Sequence, residues 1–459
     1  DISLFSAPPG MIPPRLRLPT RRRPDSLPDA RLSPSKIAVA ILPVAAAGGL
    51  WLTWLVGEFA GGLSPSGHHD FFALYSAGAL VRTGHAGSLY SAADLTALER
   101  QIYPHPTGYA GYMPFLNPPA AAALLAPLSA LPFATARLLW LFVSIALAVV
   151  CALVLTNGRD VRIRLLGLAV VLLTFPAFQT FTEGQWSFLI LLGCLGALAA
   201  ARREREWLAG ALLVVLWLKP PLLVLVLLWL VLTKKWRIAG GAVAAVFAVT
   251  LLTLPWTGGG ANVSYLQYLG NVSVAHVSGG GAAGQTVWEG ALPNMEGLIG
   301  LAAALAGQAN AVAVDLLAGA MALVLIAVLA FAMRGWLRNP CPPLDICLGA
   351  VSLGLLLDPH LYAQDCVLLL VLVALVLRGT RQMRVRARRW VMGGSEVQLD
   401  TAVLIAGALL LDLSAIDTLW IQGLFLRPLH LLTVALIALV ALPAWRRRRH
   451  AVLWREAAV

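Results

Sequence analysis

Charged side chains are scarce in this sequence. Asp, Glu, Lys and Arg account for 12% of the 459 residues, whereas a soluble domain carries roughly 25%. Hydrophobic residues account for 59%, and the mean hydropathy is +0.79. The composition therefore excludes an ordinary soluble domain and predicts a protein that crosses a membrane several times.

Cysteine and acidic residues are also few. The five cysteines show no CxxC spacing and no neighbouring histidine cluster, so the sequence supports neither a zinc site nor a disulfide framework. Basic residues outnumber acidic ones, and the formal net charge is +12. In a soluble chain such a charge indicates nucleic-acid binding, but here the basic residues form short clusters between apolar runs, as the positive-inside rule predicts. We therefore predict a multi-pass protein of the plasma membrane that contacts the lipid bilayer and binds no nucleic acid.

Apolar runs long enough to form membrane helices alternate with the basic clusters. A helix needs about 20 apolar residues to cross the hydrocarbon, and the runs predict an all-α polytopic bundle of about 12 transmembrane helices. Lys219 and the two prolines after it divide one run into two short helices. Residues 118–132 form too short a run to cross and are predicted to be a re-entrant or interfacial helix. The other predicted helices cover residues 37–57, 134–157, 162–181, 186–201, 237–255, 308–333, 344–357, 362–378, 400–417 and 429–445.

The same pattern divides the chain into segments. A membrane core is predicted at residues 37–378, with two large extracytoplasmic loops at 58–118 and 256–297. The remaining predicted segments are a disordered basic cytoplasmic tail at 1–36, a basic cytoplasmic loop at 379–399 and a C-terminal helix pair with a basic tail at 400–459.

Two amphipathic helices are predicted in the first loop. Apolar residues recur at helical spacing from Phe71 to Val81 and from Leu95 to Ile102, with Glu99 on the polar face of the second helix. Helices of this kind lie on the surface of a membrane leaflet.

The stretch SGHHDFFALYSAG (residues 66–78) places Asp70 after the first apolar run and directly after two histidines. An Asp at the start of a helix commonly caps the free amides of the first turn, and this structural role is one interpretation. A position at the membrane–water boundary also suits a general base that meets a lipid-borne reagent. We take Asp70 as the candidate catalytic base, and His69 and Tyr75 as candidates for donor binding.

A second group of ionisable residues lies in the turn LDPHLYAQD (residues 357–365) between two predicted membrane helices. It contains Asp358, His360 and Asp365, and ionisable residues near the hydrocarbon indicate a function by default. A histidine beside an acid can move a proton near neutral pH. The structural alternative is a helix-capping Asp358 and an interfacial histidine.

Lys219 interrupts an apolar run at the depth of the membrane centre. A lysine there needs an anionic partner or a polar cavity, and a lipid phosphate is a candidate ligand, with Arg427 as a possible second cation. The alternative is a lysine whose long stem lets the ammonium reach the interface.

Two further stretches carry polar groups suited to sugar hydroxyls. The turn FTEGQWS (residues 181–187) contains Glu183 and Gln185, and GYMPFLNPP (residues 111–119) contains Tyr112 and Asn117. We include these four residues among the candidate donor-binding residues.

Over roughly residues 37–378 the chain resembles glycosyltransferase family 87 in the order of five stretches, which are HHDFFALYSAGALVRTGHAGSLY, YMPFLNPPAAAALLAPLSALP, EGQWSFLILL, AGALLVVLWLKPPLLVLVLLW and DPHLYAQDCVLLL. This is a GT-C family of polyprenyl-phosphate-sugar-dependent mannosyl- and arabinosyltransferases. The resemblance implies a GT-C bundle in which Asp70 is the catalytic aspartate and His360 joins it. It also places Lys219 in the KP junction of the family, Gln185 in its GQ turn, and Asn294 of NMEGL in the donor site.

The resemblance also implies a reaction. A polyprenyl-phosphate sugar supplies an activated bond, and a lipid-linked or glycan acceptor attacks it with inversion on the extracytoplasmic side. No cofactor and no metal are expected, because such a donor supplies its own activated bond and a charged leaving group.

The sequence is compatible with two other functions. A membrane transporter or lipid flippase would use Lys219, Asp315 and His360 to line a pathway, although the sequence shows no evident inverted repeat. A lipid-modifying hydrolase would use Asp70 and His360.

Overall fold

The computed structural model describes the part of the chain from which the site is built. The described residues are 45, 48–49, 51–53, 56–57, 70–102, 113–278, 297–306, 311–333, 351–358, 361–377, 396–418 and 433–438. Every regular element within these ranges is a helix, so the prediction of an all-α protein is confirmed.

The helices are numbered in chain order. They are α1 Asp70–Arg82, α2 Ala92–Ile102, α3 Pro119–Leu125, α4 Phe133–Leu155, α5 Val161–Leu173, α6 Phe175–Glu183, α7 Ser187–Arg202, α8 Glu206–Leu212, α9 Pro220–Leu232, α10 Trp236–Ser278, α11 Gly297–Ala306, α12 Ala311–Met333, α13 Ala363–Leu377 and α14 Glu396–Thr418. The first part of α13, Ala363–Leu369, is a 3₁₀ helix. Further 3₁₀ turns lie at Ala86–Ser88, Leu128–Ala130 and Leu213–Leu218.

Two described helices are long and apolar enough to cross a membrane on their own, Phe133–Leu155 and Trp236–Leu269. The pair α5 and α6 passes the same test together but bends by 52° between them, so the single helix predicted at 162–181 is broken. Thr174 has extended backbone at the break, and Pro176 lies in the first turn of α6. Proline explains the break, because it has no amide hydrogen for a helical bond and its ring clashes with the carbonyl group four residues earlier in a continuous helix. Several other apolar helices are shorter, and the predicted total of about 12 spans is not confirmed.

Helix α1 is buried on every side. Its residues from Phe71 to Val81 are all buried, whereas the sequence pattern predicted an amphipathic helix on the leaflet surface. Small residues allow this close packing, since a Cβ atom at Gly78 would lie 2.9 Å from the carbonyl oxygen of Leu125 at the end of α3. The surface position predicted for this helix is therefore wrong, and α1 belongs to the protein core.

Helix α2 is amphipathic, but its buried face includes an acid. Glu99 is buried beside Leu95, although the sequence placed it on the polar face. The backbone amide of Met113 donates a hydrogen bond of 3.0 Å to Glu99 Oε2. Burial is the main reason that the pKa of Glu99 rises to about 8.

Helix α10 extends far beyond its predicted end at residue 255. It continues through Pro255 and through Gly258, which has a φ of 68°, as far as Ser278. Glycine adopts this left-handed backbone without a steric penalty, so the chain turns there and resumes a helix. The first part of the predicted loop 256–297 is consequently helical.

Helix α14 packs against α5, α6 and α13. Asp412 Oδ1 accepts a hydrogen bond of 2.8 Å from the amide of Phe175, the first residue of α6. Asp400 forms an ion pair of 2.6 Å with Arg159, a residue of the turn that joins α4 to α5. Both acids therefore attach α14 to the helices that lead to the site.

Candidate active site

The turn between α6 and α7 lies against the first residues of α1. Gly184 ends α6 with a φ of 72°, and the indole Nε1 of Trp140 donates a hydrogen bond of 2.8 Å to its carbonyl oxygen. A Cβ atom at Gly184 would lie 2.6 Å from Cβ of Phe71. Only glycine therefore allows both the turn and the close approach to α1.

This turn supplies two side chains to Asp70. The amide nitrogen Nε2 of Gln185 donates a hydrogen bond to Asp70 Oδ2. Glu183 Oε2 accepts a hydrogen bond of 3.3 Å from the backbone amide of Asp70. Glu183 therefore contacts the free amide at the start of α1, and the Asp70 carboxylate is directed to a side chain and not to its own helix.

The electrostatic surroundings of Asp70 favour its protonated form. Burial raises the pKa of Asp70 to about 7, and the neighbouring charge of Glu183 adds to the increase. The Gln185 hydrogen bond and the charge of Lys219 act in the opposite direction, while Asp365 raises the pKa further. A carboxyl group with a pKa near neutrality can exchange protons at physiological pH.

Lys219 lies at the junction that the sequence predicted between two short helices. The 3₁₀ turn Leu213–Leu218 ends before it, and Pro220 occupies the first position of α9. Asn117 Nδ2 donates a hydrogen bond of 2.7 Å to the carbonyl oxygen of Leu218. Asn117 therefore holds the backbone that carries the lysine.

The ammonium group of Lys219 forms an ion pair with Asp365 Oδ1. The side chains are 14% and 1% exposed respectively, so the interpretation of Lys219 as a lysine that reaches the aqueous interface does not hold. Asp358 and Asp70 attract the same ammonium group. Lys219 therefore connects the Asp70 side of the site with Asp358 and Asp365.

Asp365 lies in the first turn of α13. Its Oδ2 accepts a hydrogen bond of 3.2 Å from the backbone amide of Tyr362. Thr180 of α6 approaches the same turn, because its hydroxyl donates to the carbonyl oxygen of Gln364 at 3.4 Å. The ends of α1, α6, α9 and α13 thus meet around a group of acids and one lysine.

The predicted site residues are only partly brought together. Asp70, Glu183, Gln185 and Lys219 form one cluster, and Asn117 bonds the backbone directly before Lys219. Tyr75 does not join this cluster: its hydroxyl donates to the carbonyl oxygen of Leu131 at 2.7 Å, and its ring packs edge-on against Phe133. Five predicted residues lie outside the described residues, namely His69, Tyr112, Asn294, His360 and Arg427.

The sequence singled out Asp365 with its turn but did not place it among the candidate binding residues. Lys219 and Asp365 each interrupt an apolar run, and buried charges occur in pairs. This pattern was the signal in the sequence that could have indicated a contact between them. Across the described ranges, no group of three or more His, Cys, Asp or Glu side chains is placed to hold a metal ion. Metal independence stays a prediction.

The sequence profile of glycosyltransferase family 87 matches residues 115–359, more than half of the 459 residues. The chain belongs to this family. Two curated relatives are the alpha-(1->3)-arabinofuranosyltransferases of Mycobacterium tuberculosis strains CDC 1551 / Oshkosh and ATCC 25618 / H37Rv. Each is 28% identical over 149 residues, which cover 31% of this chain and 34% of the relative. The similarity thus spans about a third of these relatives, and no solved structure matches.

The description of the family is that of a group of glycosyltransferases. The matched range includes Glu183, Gln185 and Lys219 but ends before Asp365 and begins after Asp70. The contacts described above bring both outlying acids to the matched residues. The family resemblance predicted from the sequence motifs is confirmed.

Proposed function

We propose that this glycosyltransferase transfers a sugar from a polyprenyl phosphate to a lipid-linked or glycan acceptor on the extracytoplasmic side of the plasma membrane, with inversion. The sugar is mannose or another hexose or pentose, and the name of the mycobacterial relatives supports an arabinofuranosyl unit. The observation that carries the proposal is the Asp70 carboxylate, fixed by Gln185 beside Glu183 and within electrostatic range of Lys219.

Asp70 is the proposed general base. With Oδ2 bound to Gln185, we assign Oδ1 as the oxygen that accepts the proton of the acceptor hydroxyl. The acceptor oxygen then attacks the anomeric carbon, and the bond from that carbon to the phosphate oxygen breaks. A single displacement of this kind inverts the anomeric centre, and a positioned base contributes roughly 10² to 10⁴ in rate.

Lys219 is the proposed contact for the donor phosphate. The leaving phosphate gains negative charge as the bond breaks, and a fixed cation in a site of low polarity stabilises that charge. The apolar helices around the site, which we take as part of a bundle of about 12 spans, are suited to a donor whose polyprenyl chain lies in the bilayer. The phosphate at the end of that chain would then reach the buried lysine.

The test is an assay of the purified full chain with a panel of radiolabelled polyprenyl-phosphate sugars and a native lipid extract. We expect transfer from at least one such donor, with inverted configuration in the product. Transfer from a nucleotide sugar alone would contradict the proposed donor class. Movement of an intact lipid across a vesicle membrane without any transfer would support the flippase alternative instead.

A further inference from the structure

We propose that Asp365 controls the charge of the donor site: it neutralises Lys219 while the site is empty and competes with the donor phosphate for the same ammonium group. The inference rests on the proposed function, because it assigns Lys219 to the phosphate of a polyprenyl-phosphate donor. It assigns a role to Asp365, which lies outside the range matched by the family profile. In this role Asp365 weakens donor binding, whereas a residue that only positioned Lys219 would strengthen it.

The carboxylate of Asp365 is held independently of the lysine. Its Oδ2 is bound to the amide of Tyr362 in the same helical turn, while its Oδ1 is bound to Lys219. The side chain is only 1% exposed. Loss of the Lys219 contact therefore leaves the carboxylate attached to α13 by its own backbone.

Lys219, in contrast, has freedom to change partner. The bond from Asn117 fixes the backbone at Leu218 and not the ammonium group. An ammonium group on a flexible four-carbon stem has three donors and no fixed plane, so a small rotation of the stem brings it to a second anion. Asp70 and Asp358 also attract it, which keeps it inside the acidic cluster.

The need for a counter-ion follows from burial. A buried ammonium without a partner is strongly unfavourable, whereas a compensated pair is tolerated. The empty site therefore requires Asp365, but an entering phosphate brings a second negative charge to the same lysine. The two anions repel each other, and donor binding must overcome this repulsion.

Charge control by Asp365 and simple positioning of Lys219 predict opposite changes in donor affinity when Asp365 is replaced. Asp365→Asn removes the charge but keeps an oxygen for the Tyr362 amide. Charge control predicts that the donor KM and the dissociation constant of a sugar-free polyprenyl phosphate both fall by about threefold or more, with the acceptor KM unchanged. A residue that merely positions Lys219 would instead raise both donor constants when it is removed.

The pH dependence of kcat/KM provides a second measurement, which would not change if Asp365 had only a structural role. Asp70 faces Glu183, Gln185, Lys219 and Asp365, and the charge of Asp365 raises the pKa of Asp70. Asp365→Asn should therefore move the rising limb of kcat/KM to lower pH. Asp94→Asn is the matched control, because it makes the same chemical change at an exposed position of α2 and should move neither the limb nor the donor constants.

Asp365→Asn leaves the ammonium with fewer counter-charges and risks misfolding, so a second comparison is needed. Lys219→Met combined with Asp365→Asn replaces the pair with uncharged groups and so leaves neither a buried lysine nor a buried aspartate without its partner. Charge control predicts that this double variant binds polyprenyl phosphate more tightly than Lys219→Met alone.

Weaker or unchanged donor binding by Asp365→Asn, or equal binding by the double and single lysine variants, would overturn the inference. Sugar transfer by the unmodified chain is measured in parallel. Failure of that transfer would count against the proposed function itself, whereas a wrong sign in the variants with normal transfer would count against charge control alone.

Discussion

Glu183→Gln offers a direct way to test the electrostatics around Asp70. Gln keeps a side-chain oxygen that can accept the Asp70 amide, so the 3.3 Å contact at the start of α1 is preserved. The substitution removes the negative charge of Glu183, which is the second cause, after burial, of the raised pKa of Asp70. We therefore expect the pKa of Asp70 to fall in this variant.

The size of the effect follows from the pKa of about 7 for Asp70. A base works when it is deprotonated, so kcat/KM should rise with pH and level off above pH 7. At pH 6 about a tenth of the Asp70 side chains carry a charge, and the unmodified enzyme should work at about a tenth of its plateau rate. In Glu183→Gln the rising limb moves to lower pH, and the relative gain at pH 6 is at most about tenfold.

The assay is initial-rate transfer at subsaturating donor between pH 5 and 9, normalised to the plateau of each variant. Glu99→Gln is a matched control, because Glu99 is also a buried acid that accepts a backbone amide but is not among the groups that act on Asp70. Its limb should coincide with that of the unmodified enzyme. An unmoved limb in Glu183→Gln, or a move to higher pH, would refute the assignment of the limb to Asp70.

Further predictions concern the lysine, the turn, the second buried acid and metal. Lys219→Met should raise the donor KM about tenfold to a hundredfold with little change in acceptor KM, since a charge-assisted contact contributes about 1.5 to 3 kcal/mol. Saturation curves for each substrate measure both constants, and equal effects on the two would contradict the prediction. Gly184→Ala should destabilise the fold by about 1 to 3 kcal/mol and slow transfer, because Gly184 has a φ of 72° and lies against Phe71. Thermal unfolding measures the loss of stability, and Gly259→Ala is the control, because a Cβ atom there meets nothing within 4 Å. Glu99 has an ordinary pKa of 4.5 that rises to about 8 on folding, so its contribution to stability is fully present below pH 4.5 and is lost as the pH rises towards 8. Glu99→Gln should flatten that part of the pH–stability curve, and an unchanged slope would show that the carboxyl is not buried in its protonated form. Transfer should survive EDTA, and loss that Mg²⁺ or Mn²⁺ restores would assign some of the acids to a metal.

The parts of the fold that local chemistry determines were predictable. The two prolines after Lys219 forced a helix break that the structure contains. The apolar run at 134–157 matches α4, and the motif order identified the family. These features depend on residues that are close in the chain.

Features that depend on distant neighbours were not predictable from the chain alone. The pattern of α1 fits a leaflet surface as well as a protein core, and only its packing against α3 distinguishes the two. Glu99 looked like a solvated acid because its partner, the Met113 amide, follows 14 residues later. Likewise, Lys219 and Asp365 are 146 residues apart, so the sequence indicated that each needs a partner but not that they pair.

The most direct test of the account is the transfer rate of Asp70→Asn. Asn keeps the size of Asp70 and an oxygen for the Gln185 amide, but it cannot accept the acceptor proton. The account predicts normal folding, a nearly unchanged donor KM and a turnover lower by about 10²-fold or more, while Asp94→Asn retains full turnover. Near-normal transfer by purified Asp70→Asn would contradict the assignment of Asp70 as the general base.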